Sequence, residues 1–193
     1  MIRSIIRYFI HFPEKVYNYI ALRMNNVSIG KNISINGKLF CVTRDSSSIV
    51  LGSGIRINSG IKYNSIGGDN RTILFAEGNG IISIGDRTGL SNCTLFCCES
   101  ITIGCDVYLG GSVKIYDTDF HWVDCNKRIN TKGGKTSPVV IKDGVFVGAH
   151  TIVLKGVTIN EHAVVGAGSV VTKDIPKGEL WAGNPAKYIK SIE

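Results

Sequence analysis

Chemistry-bearing residues crowd into one stretch of the chain, Tyr116-Asp117-Thr118-Asp119-Phe120-His121-Trp122-Val123-Asp124. A histidine flanked by two acids and two aromatics is a poor composition for disorder. An imidazole between carboxylates can be oriented and held in one tautomer, which is what a general base needs. The run opens a polar segment that closes at Gly133-Gly134-Lys135-Thr136-Ser137-Pro138. Long excursions of this kind from an ordered scaffold commonly carry function. His121 is therefore the first candidate for catalysis. His150 and His162 fall inside regular repeats, at positions expected to face outward at corners, and His11 lies near the N-terminus.

The scaffold that must hold this segment announces itself by an apolar beat of six. Ile141, Val147, Val153, Ile159, Val165 and Val171 open six consecutive hexads. Helices return near 3.6 residues and half-buried strands near 2, so a beat of six predicts short strands and turns wound into a solenoid. The fifth hexad positions, Val145, Thr151, Val157, Ala163 and Ser169, are small or β-branched. Upstream the beat continues at Ile84, Leu90 and Phe96, then resumes one residue out of phase at Ile103, Leu109 and Ile115, which a single insertion near Ser100 explains. A weaker version runs through Ile29, Ile35, Leu51 and Ile57, broken by loops at Thr43 to Ser48 and Gly67 to Arg71. Stacked coils share one core, so the repeats form a single unit.

Composition agrees: 193 residues suit one domain, and a 44% hydrophobic content fills a core. Six cysteines (Cys41, Cys93, Cys97, Cys98, Cys105, Cys125) follow no disulfide framework and read as free, mostly buried thiols. The expected organisation is a helical segment over 1–26, a solenoid over 27–178 interrupted by a loop at 117–138, and a tail over 179–193. Residues 1–23 place Ile2, Ile5, Ile6 and Phe9 at helical spacing with Arg3 and Arg7 between them, and a break is expected near Pro13. The run is too short and too charged to span a bilayer and lacks the pattern of a signal peptide. Two readings stand: a helix capping the solenoid, or a basic amphipathic helix on an anionic membrane surface.

Three segments carry a resemblance: Asp117-Thr118-Asp119-Phe120-His121, then Val147-Gly148-Ala149 with Leu154-Lys155-Gly156-Val157-Thr158-Ile159, and Val165 to Pro176. With the closing Trp181-Ala182-Gly183-Asn184-Pro185-Ala186-Lys187, the chain resembles a hexapeptide-repeat acyltransferase over about residues 29–192. The similarity is nearest to maltose and galactoside O-acetyltransferases and to O-acetyltransferases of surface polysaccharide synthesis. It implies an all-β solenoid, a left-handed parallel β-helix with an N-terminal helix and one protruding loop. It also implies an acetyl-CoA-dependent transferase acting as a homotrimer, with each site between adjacent subunits, and no metal. Its place would be cytoplasmic, or peripheral to the inner face of the membrane.

By that resemblance His121 matches the catalytic histidine, and Ala149 supplies a backbone N–H for the oxyanion. Asp119 or Asp117 would orient the imidazole. Phe146, Gly148, Ala149, Gly166, Ala167 and Gly168 match positions along the pantetheine arm, and Thr172, Lys173, Lys187 and Lys190 match the nucleotide end, where lysines neutralise phosphate. Ser91, Asn92 and Trp122 fall in the acceptor region. Phe146 stands where relatives often carry tryptophan, and Lys187 and Lys190 where some carry arginine. The small-sugar enzymes' acidic N-terminal segment is replaced by a basic, apolar one, which favours a saccharide on a lipid carrier or a growing polymer. The formal charge of +7 suits CoA phosphates, anionic lipid or acidic glycans, and no nucleic-acid-reading pattern accompanies it. The alternatives are an N-acyltransferase of an amino sugar, drug or serine, and a non-catalytic β-solenoid scaffold.

Overall fold

A computed structural model describes residues 2–192, with side chains from Phe12 to Ile192. Each hexad forms one short strand and one turn, and three hexads make a coil, so the chain winds into a left-handed parallel β-helix with three flat faces. Face A carries Ser28–Ile29, Ser48–Leu51, Ile81–Ile84, Ser100–Ile103, Val139–Ile141 and Thr158–Ile159. Face B carries Ser34–Gly37, Arg56–Ser59, Gly89–Ser91, Tyr108–Leu109, Phe146–Val147, Val164–Val165, Glu179–Ala182 and the antiparallel Lys187–Ser191. Face C carries Phe40–Thr43, Ile73–Ala76, Thr94–Cys97, Lys114–Tyr116, Ile152–Val153 and Val170–Val171. Sheet B thus continues past residue 178, through Glu179–Ala182.

Register explains the beat. Leu51, Ile84, Ile103, Ile141 and Ile159 stack down the inside of face A. Ile57, Leu90, Leu109, Val147 and Val165 do so inside face B, and all ten side chains are buried. The small fifth positions are buried too, filling the corners between faces. His150 and His162 turn their corners at φ 61° and 58°, in the left-handed region, with exposed side chains.

The phase slip has a different origin from a single insertion. Ile115 pairs with Leu95, so Leu95 and Cys97 point inward and Phe96 points out. The corner at Ser91–Cys93 is one residue short, and the following passage from face C to face A is two residues long. Phe96 instead joins a row on the outside of face C, stacked on Phe75 with ring centroids 4.8 Å apart.

Helix α1 (Ile2–Met24) runs through Pro13 without the expected break. Its C-terminal half is clamped to the solenoid, which holds the helix past the proline. Asn18, almost fully buried, donates to the Gly37 carbonyl (2.8 Å) and accepts from the Leu39 amide (2.9 Å). Asn25 accepts from the Thr43 amide (2.9 Å), and Leu22 joins the core. Two asparagines and one leucine so seal the open backbone of the first coil. The side chains of Ile2, Arg3, Ile5, Ile6, Arg7, Phe9 and His11 lie outside the described residues.

Candidate active site

The segment that breaks the beat leaves the end of face C after Tyr116 and returns to face A at Val139. It is fastened at several points. Asp119 donates its amide to the Lys135 carbonyl (3.0 Å), Ser137 donates to the Asp117 carbonyl (2.9 Å), and Thr118 and Thr136 form an antiparallel bridge. Gly134 lies against the backbone of Phe120 and His121, where a Cβ would come within 2.9 Å of the His121 nitrogen. A side chain at that place would force the backbone of Phe120 and His121 to shift. Phe120, at φ 61°, packs on Phe96 and Tyr116 with centroid separations of 4.8 and 5.3 Å. The aromatic row on face C thereby anchors the residue next to His121. Helix α2 (Cys125–Asn130) follows, capped by the Asp124 carboxylate on the Lys127 amide (2.8 Å).

His121 has an exposed side chain on this anchored excursion. Neither acid expected to orient it does so within the chain. Asp117 is completely buried, and its carboxylate accepts from the amides of Cys98 (2.8 Å), Glu99 (2.7 Å) and Ser100 (2.8 Å) and from the Cys97 thiol (3.2 Å). It fastens the lengthened turn of the preceding coil. Burial, with Asp117 and Glu77 nearby, pushes the Cys98 thiol up to about 11. Asp119 instead pairs with Lys155 at 2.7 Å, the two side chains being partly exposed (30% and 25%). Among the described residues no hydrogen bond joins either carboxylate to the His121 ring.

The residues matched to CoA divide between two edges of the prism. Gly148, Ala149, Gly166, Ala167 and Gly168 lie on the edge between faces B and C, with Phe146 exposed on face B beside it. A Cβ on Gly148 would meet the Ala167 nitrogen at 2.5 Å, so successive coils touch backbone to backbone there. Gly111, Ala149 and Ala167 stack along this edge, and each keeps an amide N–H with no acceptor among the described residues. Thr172 and Lys173 lie on the edge between faces C and A, the edge that bears His121, and Lys187 and Lys190 are exposed on the final strand. The three histidines His121, His150 and His162 sit on three different edges.

The acceptor candidates fare unevenly. Asn92 is buried at φ 50° and does not face an acceptor. Its side chain accepts from the Gly60 amide (2.8 Å) and donates to the Asn64 carbonyl (2.9 Å), tying down a second excursion, residues 60–71. Ser91 stays partly exposed beside Asn58. Trp122 lies under the Lys127 ammonium, 5.1 Å from its ring centroid. In the sequence Lys155, Gly134 and Phe120 appear only within longer segments, with no role of their own. Apart from the Tyr116 ring, four residues from Phe120, their partners lie 13 to 36 residues away, and spacing along the chain does not reveal them.

Comparison with known proteins agrees with this architecture. The family described as bacterial transferase hexapeptide (six repeats) matches residues 138–173. A Schizosaccharomyces pombe protein provisionally named an acetyltransferase is 47% identical over 102 residues, 53% of this chain and 48% of its own length. The chain therefore spans about half the length of that relative. A hexapeptide-repeat acetyltransferase from Vibrio cholerae O1 biovar eltor, solved with acetyl coenzyme A, is 25% identical, with a TM-score of 0.62 over 93% of this chain and 79% of its own. A mutant of AntD, an N-acyltransferase from Bacillus cereus solved with dTDP-4-amino-4,6-dideoxyglucose and coenzyme A, shares the fold at 23% identity, with a TM-score of 0.69 over 92% and 90% of the two chains. Residues 138–173 are thus hexapeptide repeats of the bacterial transferase kind, and the chain around them has the fold of the hexapeptide-repeat acetyltransferases.

Proposed function

We propose that the chain is an acetyl-CoA-dependent acyltransferase that O-acetylates a sugar hydroxyl during synthesis of a capsule, O-antigen or exopolysaccharide. The observation that carries this reading is His121, exposed on an excursion whose stem is pinned by backbone bonds, an ion pair and an aromatic stack. A sugar hydroxyl is a weak nucleophile at neutral pH and needs a base at hydrogen-bonding distance. His121 takes the hydroxyl proton as the oxygen attacks the thioester carbonyl. The tetrahedral oxyanion is held by the free amide of Ala149, the C–S bond breaks, and the CoA thiolate leaves with the proton from the imidazolium.

The division of the matched residues between two edges supports a homotrimer whose sites lie between subunits. Both edges flank face C, whose outer surface carries Phe40, Val42, Ile73, Phe75, Phe96, Ile152 and Val170. Packing that apolar face toward a shared axis brings the His121 edge of one subunit against the Ala149 edge of the next. The N-acylating reading is favoured by the AntD likeness, an enzyme solved with an amino sugar nucleotide. The outward side of α1, with Val16, Ile20 and Met24 exposed, supports a peripheral contact with an anionic membrane.

The test is transfer of radiolabelled acetyl from acetyl-CoA to a panel of envelope saccharides and amino sugars. Transfer to hydroxyl acceptors, reduced about 10²–10⁴-fold by His121→Ala with CoA binding retained, is the expected result. Undiminished transfer in that variant removes the general base. Label found only on amines assigns the N-acyl reading.

A further inference from the structure

The outer surface of face B holds a slot of which Ser91 is the one residue matched above to the acceptor region. Parallel register lines up Ser34, Arg56, Gly89, Tyr108, Phe146 and Val164 in one outward column. Gly89 interrupts it, and the missing side chain opens a cavity of about 370 Å³ across three strands. The Tyr108 ring, 61% exposed, leans over the gap, and a Cβ on Gly89 would lie 3.2 Å from its Cδ1. Arg56 stands on the opposite side.

The charges of the slot are unequal. Arg87, at the corner of the cavity, is neutralised by two hydrogen bonds to the Asp106 carboxylate, at 2.7 and 2.6 Å. Arg56 is exposed and has neither a carboxylate nor a hydrogen-bond partner among the described residues. The end of the slot nearer Ala149 is polar: Asn58, steadied by the Asn36 side-chain amide (3.0 Å) from outside the slot, leans toward the Ser91 hydroxyl at 3.4 Å. The slot therefore has an aromatic face, a row of amide and hydroxyl groups, and one uncompensated guanidinium. These suit, in turn, the C–H face of a pyranose, its hydroxyls, and a carboxylate or phosphate.

We propose that this slot binds an anionic sugar unit of the acceptor. The inference rests on the saccharide reading above and narrows it. Tyr108, Gly89 and Arg56 lie one, two and three coils from the strand that leads into Ala149, about 5, 10 and 14 Å at the strand spacing of a sheet, so the slot is centred about 10 Å away. A unit held in the slot is therefore not the unit being acetylated, and the acceptor is an oligosaccharide or polymer with acidic residues.

The experiment measures binding to the chain of residues 1–193 by calorimetry, using trigalacturonate, glucose 1-phosphate and neutral maltotriose, without acetyl transfer. At least one anionic probe binds tenfold or more tighter than maltotriose, and the preference shrinks as salt is raised. Which of the two binds identifies the anion. Arg56→Gln removes the preference and leaves CoA binding unchanged. Gly89→Leu, at a backbone angle open to any residue, fills the slot and weakens all saccharides. Equal affinity for maltotriose and both anions, or a preference that survives Arg56→Gln, overturns the proposal. Arg56-dependent binding without acetyl transfer to any saccharide keeps the slot and defeats the O-acetyltransferase reading. Acetylation of anionic oligosaccharides at a kcat/KM unchanged by Arg56→Gln does the reverse.

Discussion

Two carboxylates close to His121 in sequence have found other partners. Asp117 serves three backbone amides of the neighbouring coil, and Asp119 serves Lys155. Asp119 and His121 are nonetheless coupled, because the His121 amide donates to the Asp119 carbonyl at 2.6 Å. If His121 is the base proposed above, Lys155 is expected to position the imidazole through Asp119, from the coil that also carries Ala149. Lys155→Met is expected to lower kcat about tenfold or more, since a small misplacement of a reacting group is costly, while KM for acetyl-CoA hardly changes. The melting temperature should move little, as a partly exposed ion pair contributes on the order of 1 kcal/mol or less. Asp119→Lys combined with Lys155→Asp should restore turnover. If Lys155→Met keeps full kcat, the pair is only structural. The acids were legible in the sequence as residues fit for chemistry. Their partners were not, because Cys98 and Lys155 lie 19 and 36 residues away and meet them only through coil register.

Among the elements, α1 departs most from a simple cap. Its inner side, Asn18 and Leu22, closes the first coil, while Phe12, Val16, Ile20 and Met24 are 41–79% exposed along its outer side. An apolar stripe of that length on a helix that already has a packed side needs a covering surface. No helix among the described residues is long and apolar enough to cross a membrane. Cosedimentation with vesicles containing one third phosphatidylserine is expected for the intact chain. It should be lost in the Val16→Asp, Ile20→Asp double variant, whose inner packing is untouched. Equal sedimentation of both forms removes the membrane contact. The helical spacing here was readable from sequence, but continuity through Pro13 was not, since the asparagine clamps that hold the helix past it form with residues about 20 positions downstream. Likewise Phe96 fitted the beat of six by spacing and faces outward because the corner before it is short.

At the scale of the whole molecule, the site proposed here needs two copies. Mixing His121→Ala subunits with Ala167→Trp subunits, each inactive alone, should recover activity, because some interfaces then pair an intact histidine edge with an intact amide edge. Absence of recovery in verified mixed oligomers places both edges in one subunit's site instead. The slot on face B stays open in such an assembly, since face C is the one turned inward. By itself the sequence determined the coil: an apolar residue every six positions can be buried only by winding, and the break in that beat located the excursion with His121. Tertiary structure decided which edge of the prism each residue occupies, what Asp117 and Asp119 bind, that Asn92 is a buried tether, and that Gly89 leaves a gap between Arg56 and Tyr108. Periodicity is a local property of the chain, whereas these placements depend on register between coils about 20 residues apart, where one short corner shifts every later partner.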